Sequence, residues 1–579
     1  MKESLNKADV TAATDQAQGS ATERGSVWWH ALRARADFGP LLLLIGGFVF
    51  VAAQRLGTIP VPEGDEAMIL QLPYEVMYRG KFAWPMFRLL GGNIENVWHS
   101  LRPVYFWMIT GVCELFGLGL EQGRIFNLIT AVTTLLMVYL ISRRLFDWRA
   151  GMFAVLMLVG DQTFLERSRL IRNDYAPATF ALLAFYLYEI ARERKRPGYY
   201  IASGLAVGAG VMSHTNILYM VIVIGCLILL RDGWRALKER PVYLFGLSAL
   251  AVMAYEIIYD IVDYQNLVQQ YRTDDLHFRA LSPAGIWQNL LEERLRYGKW
   301  LAGSAMFDNF PQATLRIFQL LTVAAVIYLT FVLIRQWRRG RLTEEPRVRI
   351  LIAIVTVVLF HALIVSHKRI YYLAHLAPWF AIGVGILLRD ATARISAWRT
   401  MNWPRARLAH RFGVVLVALA VIAYGGLLIR QSTRFVQEIR NPELATFDEF
   451  AATLKEIIPE GLCPVAVKNP SVWLAFPESD RCFATIENRM KEALDLDGKD
   501  YALITRPNVV ARGDERAGSL EMAAGKYHLL GEMQETAYGT LLIYYTGHDP
   551  RILALAPKRF QFYGLRRGRL QLSETETSR

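Results

Sequence analysis

Three carboxylates, Glu63, Asp65 and Glu66, stand together in "VPEGDEA", just after the apolar run at 40–53. Three later stretches, each between apolar runs, carry complementary groups. "ERSRLIRND" holds Glu166, Arg167, Arg169, Arg172 and Asp174, and "SHTN" holds His214. "SHKRIYYLAH" holds His367, Lys368, Arg369, Tyr371, Tyr372 and His375. A carboxylate can draw a proton from a hydroxyl, and Arg and Lys grip phosphate through charge-assisted hydrogen bonds. If the four stretches share one membrane face, they suit a lipid phosphate bearing a polar group. Glu63-Gly64-Asp65 is a faint echo of a metal-binding Asp-x-Asp, and no CxxC or Cys/His pattern is present. No metal and no other cofactor is expected.

Each residue also has a plainer reading. An acid just beyond an apolar run is commonly a solvated loop residue, which would account for Asp65. Asn173 or Asp174 can cap a helix beginning at "YAPATF". His214 suits a tight turn, Lys368 and Arg369 can snorkel to headgroups, and His361 can be a packed polar residue. The combination carries more weight than its parts, because stretches distant in sequence bring matching chemistry.

The elements that must position these groups are membrane spans. The chain has 579 residues, 53% of them hydrophobic, with apolar runs matching the bilayer length of a helix. We read spans at 39–56, 124–142, 150–165, 174–191, 199–213, 216–230, 241–260, 313–334, 349–365, 371–388 and 412–430. One set of intervening loops is crowded with basic residues, among them Arg143, Arg144, Arg194, Lys195, Arg235, Arg338, Arg339, Arg405 and Arg407. The other set is sparse in them. The positive-inside rule puts the basic loops in the cytoplasm and the candidate residues outside. The formal charge of +13 then reflects topology, and no nucleic-acid partner is expected.

Residues 1–37 read as a cytoplasmic, disordered N-terminus, and 38–430 as the membrane domain with long outer loops at 57–123 and 261–312. The first of these loops holds amphipathic pieces expected to lie in the interface, with Trp84, Trp98 and Trp107 at headgroup level. Residues 431–579 change character. "ELATFDEFAATLKEIIP" reads as an amphipathic helix, and "CPVAVKN", "SVWLAF", "DYALITRP" and "YGTLLIYY" read as short strands. An extracytoplasmic α/β domain is expected there, where Cys463 and Cys482 could be bridged or remain free thiols.

At these residues the chain resembles the polytopic GT-C glycosyltransferases that use polyprenyl-phosphate sugars, in the branch of the protein O-mannosyltransferases and the lipid A aminoarabinose transferase. The resemblance covers roughly residues 39–390. It is carried by "GDEA", "LRPVYFW", "GRIFNLITAVTTLLMVYLISRRLF", "RLIRND" and "HKRIYYLAHLAP". The last is similar to a Lys-x-x-x-Tyr-Leu-x-Pro-x-x-Pro pattern through Lys368, Tyr372, Leu373 and Pro378, with His375 in place of the first Pro. The resemblance implies a polytopic α-helical membrane protein of GT-C type, with about eleven transmembrane helices and the C-terminal α/β domain. It implies Asp65 as catalytic base with Glu66 as its neighbour, and basic residues of the later outer loops on the donor phosphate.

The chemistry agrees with that assignment. A glycosidase needs two carboxylates because its leaving group is poor. A polyprenyl phosphate leaves readily, so a base, in-line positioning and charge stabilisation suffice. The expected course is inverting single displacement onto an acceptor hydroxyl. Arg169, Arg172, Lys368, Arg369 and Tyr372 are the donor-phosphate candidates, supported by Asp174, His214 and His367. The partners expected are a polyprenyl-phosphate-linked sugar, an acceptor of unidentified class and the lipid bilayer of the cell membrane. A transporter or flippase is the alternative. It would place charged groups or broken helices near mid-bilayer, in related halves, whereas here the charges cluster at span ends.

Overall fold

The computed structural model describes residues 38–579 except 61, 91, 100–101, 272–281, 304–311, 343–344, 367, 401–404, 441–445, 468–469, 478–483, 487–500, 506–527, 537–538, 564–566 and 573–579. The expectations for residues 1–37, His367 and Cys482 lie outside the described residues. The chain divides into two units that meet at Phe50 and Val51. Among its described residues the first unit is helix α1 (Phe38–Ala52) short of its last two residues, an apolar helix without a charged side chain.

The second unit opens with α2 (Gly64–Arg79) and α3 (Pro103–Phe116). There follow α4 (Leu120–Leu145), α5 (Trp148–Val159), α6 (Gln162–Ser168), α7 (Tyr175–Arg194), α8 (Pro197–Val211), α9 (Leu218–Asp232) and α10 (Arg240–Val262). After them come α11 (Tyr264–Tyr271), α12 (Pro283–Ala302), α13 (Ala313–Arg338), α14 (Pro346–Leu363), α15 (Leu373–Ala397) and α16 (Ala406–Arg440). Every stretch expected to span is helical. Among the described residues, seven helices are long and apolar enough to cross a bilayer: α4, α9 with its flanking turns, α10, α13, α14, α15 and α16. The remaining expected spans are α1, α5, α7 and α8, which fall short in length or composition; α5 has 12 residues. The expected count of eleven is therefore not what length and composition give. The protein is a multi-pass membrane protein, and α13 and α16 present exposed Leu320, Ile327, Phe331, Leu416 and Ile422 as lipid-facing surface.

In the first long loop, helix α2 packs into protein: Ala67, Ile69, Leu70 and Leu72 are buried in a core that also contains Phe450, Val472, Trp473 and Ile543 of the C-terminal region. Trp84 and Trp98 are not headgroup anchors. Their rings sit 4.1 Å apart in the same core, and the Trp84 indole donates to the Met68 carbonyl at 2.7 Å. Trp107 is exposed.

The C-terminal region begins with α17 (Phe447–Ile457), capped by Thr446 and Glu449 as the sequence "TFDE" requires. A seven-stranded mixed sheet follows in the order β2-β1-β3-β5-β4-β6-β7, with β1 Cys463–Val467, β2 Ala484–Ile486, β3 Tyr501–Thr505, β4 His528–Thr536, β5 Gly539–Tyr545, β6 Lys558–Tyr563 and β7 Arg567–Leu572. Leu541, Ile543 and Tyr545 alternate inward along β5, the two-residue period of a strand with one face in a core. Cys463 is disulfide-bonded. "SVWLAF" is not the expected strand. It belongs to a 3₁₀ turn, Pro470–Ala475, whose Val472 and Trp473 are buried.

Candidate active site

Helix α2 begins where the sequence places its acids. The carboxylate of Glu66, in the first turn, accepts from the Glu63 backbone N–H at 3.0 Å and fixes the entry of the chain into the helix. Asp65 also lies in that first turn, where the positive end of the helix dipole favours an anion. The same end of the bundle receives the α6–α7 connection, the turn after α8 and the α14–α15 connection. These segments carry the remaining candidates.

Arg172 is the hub. It is almost fully buried and donates from Nη1 to Asp65 Oδ2 at 2.7 Å and Glu63 Oε2 at 3.3 Å, and from Nε to Asp174 Oδ2 at 3.0 Å. Its guanidinium carbon stands 3.4 Å from the centroid of the Tyr371 ring, in a cation–π stack. Burial opposes its charge, but Asp65, Asp174, Tyr371 and Glu63 outweigh burial and hold its pKa above the usual arginine value. Arg167 completes the cluster by donating to Glu63 Oε1 at 2.6 Å.

The carboxylates differ in what they have left to offer. Glu63 has both oxygens engaged. Asp174 stands at the N-cap position of α7 but makes no cap hydrogen bond; it turns to Arg172 and is 1% exposed. Asp65 is 40% exposed, and its Oδ1 has no protein partner among the described residues. It is the site carboxylate that is both reachable and incompletely satisfied.

The structure corrects three assignments. Glu66 is fully buried. It takes a bidentate pair of bonds from Arg124, Nε to Oε1 and Nη2 to Oε2 at 2.8 Å each, and a further bond from the Ile171 backbone N–H at 2.9 Å. With all its lone pairs directed into protein, Glu66 is a positioning residue for the Asp65 turn. Arg169 is also fully buried. It donates to the carbonyls of Ala52, Gln54 (2.8 Å) and Ile59 (2.7 Å), so it pins the chain after α1 and does not face a phosphate. Burial, helped by the nearby Arg124 charge, draws its pKa down to about 9.

Lys368 lies at the right end of the molecule but is committed elsewhere. Its ammonium donates to the His361 and Ala362 carbonyls at 3.0 Å each and lies 2.9 Å from Glu293 Oε2. The three donors of the ammonium thus cap the C-terminal turn of α14 and join it to α12. Burial lowers its pKa, with Glu293 opposing. Lys368→Met should lower the thermal midpoint by the equivalent of about 1–3 kcal/mol, the cost of buried polar groups losing their partner, and leave donor affinity unchanged. Thermal unfolding in detergent beside equilibrium binding of undecaprenyl phosphate separates the two roles.

Arg369 is exposed and has no hydrogen-bonded partner among the described residues. Its charge acts on Tyr371, which stacks on Arg172. Tyr372 is buried and faces inward, its ring 5.8 Å from that of His214 and 5.8 Å from the guanidinium of Arg296. His214 caps its own turn by accepting from the Asn216 N–H at 3.1 Å. Burial, then the charge of Arg102, pushes its pKa well below the usual histidine range. His375, the departure from the expected Pro, sits 5.5 Å from His361 and 5.9 Å from His214, ring to ring.

Sequence reasoning left out Arg124, Arg102, Glu293 and Arg296 as site residues, and named Arg167 and Tyr371 without giving them a role. A signal was present for three of them. Arg124 stands alone at the head of a long apolar run, and such a charge needs a buried partner. Glu293 and Arg296 are three apart on one helix face and pair at 2.8 Å.

Comparison with known proteins points the same way as this geometry. A family model described as dolichyl-phosphate-mannose-protein mannosyltransferase matches residues 99–259. No curated protein sequence matches the chain. ArnT from Cupriavidus metallidurans bound to undecaprenyl phosphate superposes with a TM-score of 0.54 at 12% identity, over 88% of this chain and 98% of ArnT. The apo form of that protein gives 0.55 at the same identity and coverage. An oligosaccharyltransferase from Archaeoglobus fulgidus, tethered to an acceptor peptide containing the NVT sequon, gives 0.50 at 13% identity over 88% of this chain and 74% of its own. The chain carries the GT-C glycosyltransferase fold.

Proposed function

We propose that the protein is a membrane glycosyltransferase that moves a sugar from a polyprenyl-phosphate donor to an acceptor hydroxyl at the extracytoplasmic face. Asp65 serves as base. The observation that carries this reading is the exposed carboxylate of the cluster that keeps one oxygen unengaged, with Oδ2 held by Arg172 at 2.7 Å and Oδ1 without a protein partner among the described residues. The fixed oxygen orients the other toward the hydroxyl whose proton it takes. The acceptor oxygen then attacks the anomeric carbon as the phosphate departs from the opposite side, so configuration inverts. The proton goes to Asp65 and the electron pair of the broken C–O bond goes to the phosphate.

Arg369 is the cation we assign to the donor phosphate, because its charge is exposed and unspent. Arg172 can add its Nη2, which has no acceptor among the described residues. Tyr372, His214 and Asp174 shape the wall behind. The proposed displacement needs no metal, because the leaving group is already a phosphate. The undecaprenyl phosphate of ArnT and the sequence match to a mannosyltransferase family support a lipid-phosphate donor. A basic set of loops on the other side supports the orientation.

The test is transfer from radiolabelled undecaprenyl-phosphate sugars, hexose and pentose, by the purified full-length protein, with the anomeric configuration of the product read by NMR. Transfer with inversion is expected, and retention would overturn the mechanism. Arg369→Ala should raise the donor Kd about 10–100-fold, the worth of one charge-assisted contact of about 1.5–3 kcal/mol, with a smaller change in kcat. Unchanged donor affinity would remove Arg369 from the phosphate.

A further inference from the structure

The C-terminal region touches the backbone beside the proposed base. Asp65 follows Gly64, the first residue of α2. The 3₁₀ turn Pro470–Ala475 lies against that residue. Ser471, fully buried, donates from Oγ to the Pro62 carbonyl at 3.1 Å. The Pro470 ring covers Gly64 so closely that a Cβ there would stand 2.9 Å from Pro470 Cγ and 3.1 Å from Cδ. Trp473, 1% exposed, meets the Tyr74 ring edge-on at 5.7 Å, nearly three helical turns beyond. The backbone just before Asp65 is thus held by the C-terminal region, while Glu66 fixes the same turn and Arg172 holds the Asp65 carboxylate.

We infer that the turn Pro470–Ala475 is a positioning element for the reaction, which sets the angle at which the Asp65 carboxylate meets the acceptor. The inference rests on Asp65 being the base. Two features separate it from ordinary domain packing. The contact falls on the residue next to the catalytic one, not on the helix body alone. It is also made possible by the missing side chain at position 64, where the backbone is not in the left-handed region and alanine is otherwise acceptable. A displacement of about 1 Å at a reacting group can cost about 100-fold in rate.

The experiment uses the full-length protein and the undecaprenyl-phosphate sugar that the wild type turns over. It compares Gly64→Ala, Pro470→Ala, the double variant and Asp65→Asn. We expect Gly64→Ala to lower kcat about 10–100-fold with undecaprenyl phosphate affinity and thermal midpoint near wild type. We expect the double variant to recover most of kcat, because removing the Pro470 ring makes room for the new methyl. Amide hydrogen exchange at residues 63–68 should rise in Gly64→Ala and return toward wild type in the double variant. Wild-type kcat in Gly64→Ala, or a loss that Pro470→Ala does not relieve, overturns the inference while Asp65→Asn still reports on the base. Full turnover in Asp65→Asn overturns both.

Discussion

Replacing Asp65 by asparagine is expected to lower turnover by about 10²–10⁴-fold, the range general bases contribute, with donor binding retained. The substitution keeps the shape of the side chain and an oxygen that can still accept from Arg172 Nη1, now 2.7 Å from Oδ2. What disappears is the ability to take up a proton. Glu63→Gln is the matched control, since Glu63 is similarly exposed but has both oxygens engaged by Arg167 and Arg172. It should retain most of the rate. Initial rates of sugar transfer, measured beside binding of undecaprenyl phosphate, distinguish a lost base from a lost site. Equal effects of the two substitutions would count against Asp65 as the proton acceptor.

The second large effect is on folding. Arg124→Met should destabilise the protein by about 3–5 kcal/mol, because it leaves the Glu66 carboxylate buried without its counter-charge. Both side chains are fully buried, and Arg124 also donates to the carbonyls of Leu56 at 2.9 Å and Pro60 at 2.8 Å. The chain between α1 and α2 would lose those anchors together with the ion pair. Glu66→Gln leaves the Arg124 charge buried without its counter-ion but should cost less, since Arg124 keeps the carbonyls of Leu56 and Pro60 and an amide oxygen can still accept a hydrogen bond. Thermal or denaturant unfolding in a fixed detergent measures the difference. A tolerated Arg124→Met would mean that water reaches Glu66.

Much of this arrangement was legible in the sequence, because residue type and position along a span were enough to find it. Asp65 beyond one apolar run and Arg172 beyond another meet at 2.7 Å, as expected of residues sharing one end of a bundle. The helices themselves follow from apolar length, and α17 from its capping residues and amphipathic spacing. What stayed hidden was how each charge is spent. Arg169 looks like a phosphate ligand until the carbonyls of Ala52, Gln54 and Ile59 are seen to take its hydrogen bonds. Lys368 sits five residues past the end of α14, which no periodicity reveals as a return path to that helix's last carbonyls. The 3₁₀ turn at 470–475 was read as a strand because Val472, Trp473 and Leu474 are good strand formers. Pro470 at its start and the core beneath Trp473 decided otherwise.

The cluster around Arg172 counts three carboxylates against two guanidiniums, with Arg167 the second. Such a surplus repels an incoming anion at short range and welcomes an electroneutral molecule. Arg369, exposed beside it, does the reverse. In the proposed reaction, polarity would therefore sort the two reactants before either is fully seated, with the charged end of the lipid carrier on the cationic margin, the alcohol against the anionic one, and the carbon to be exchanged between them.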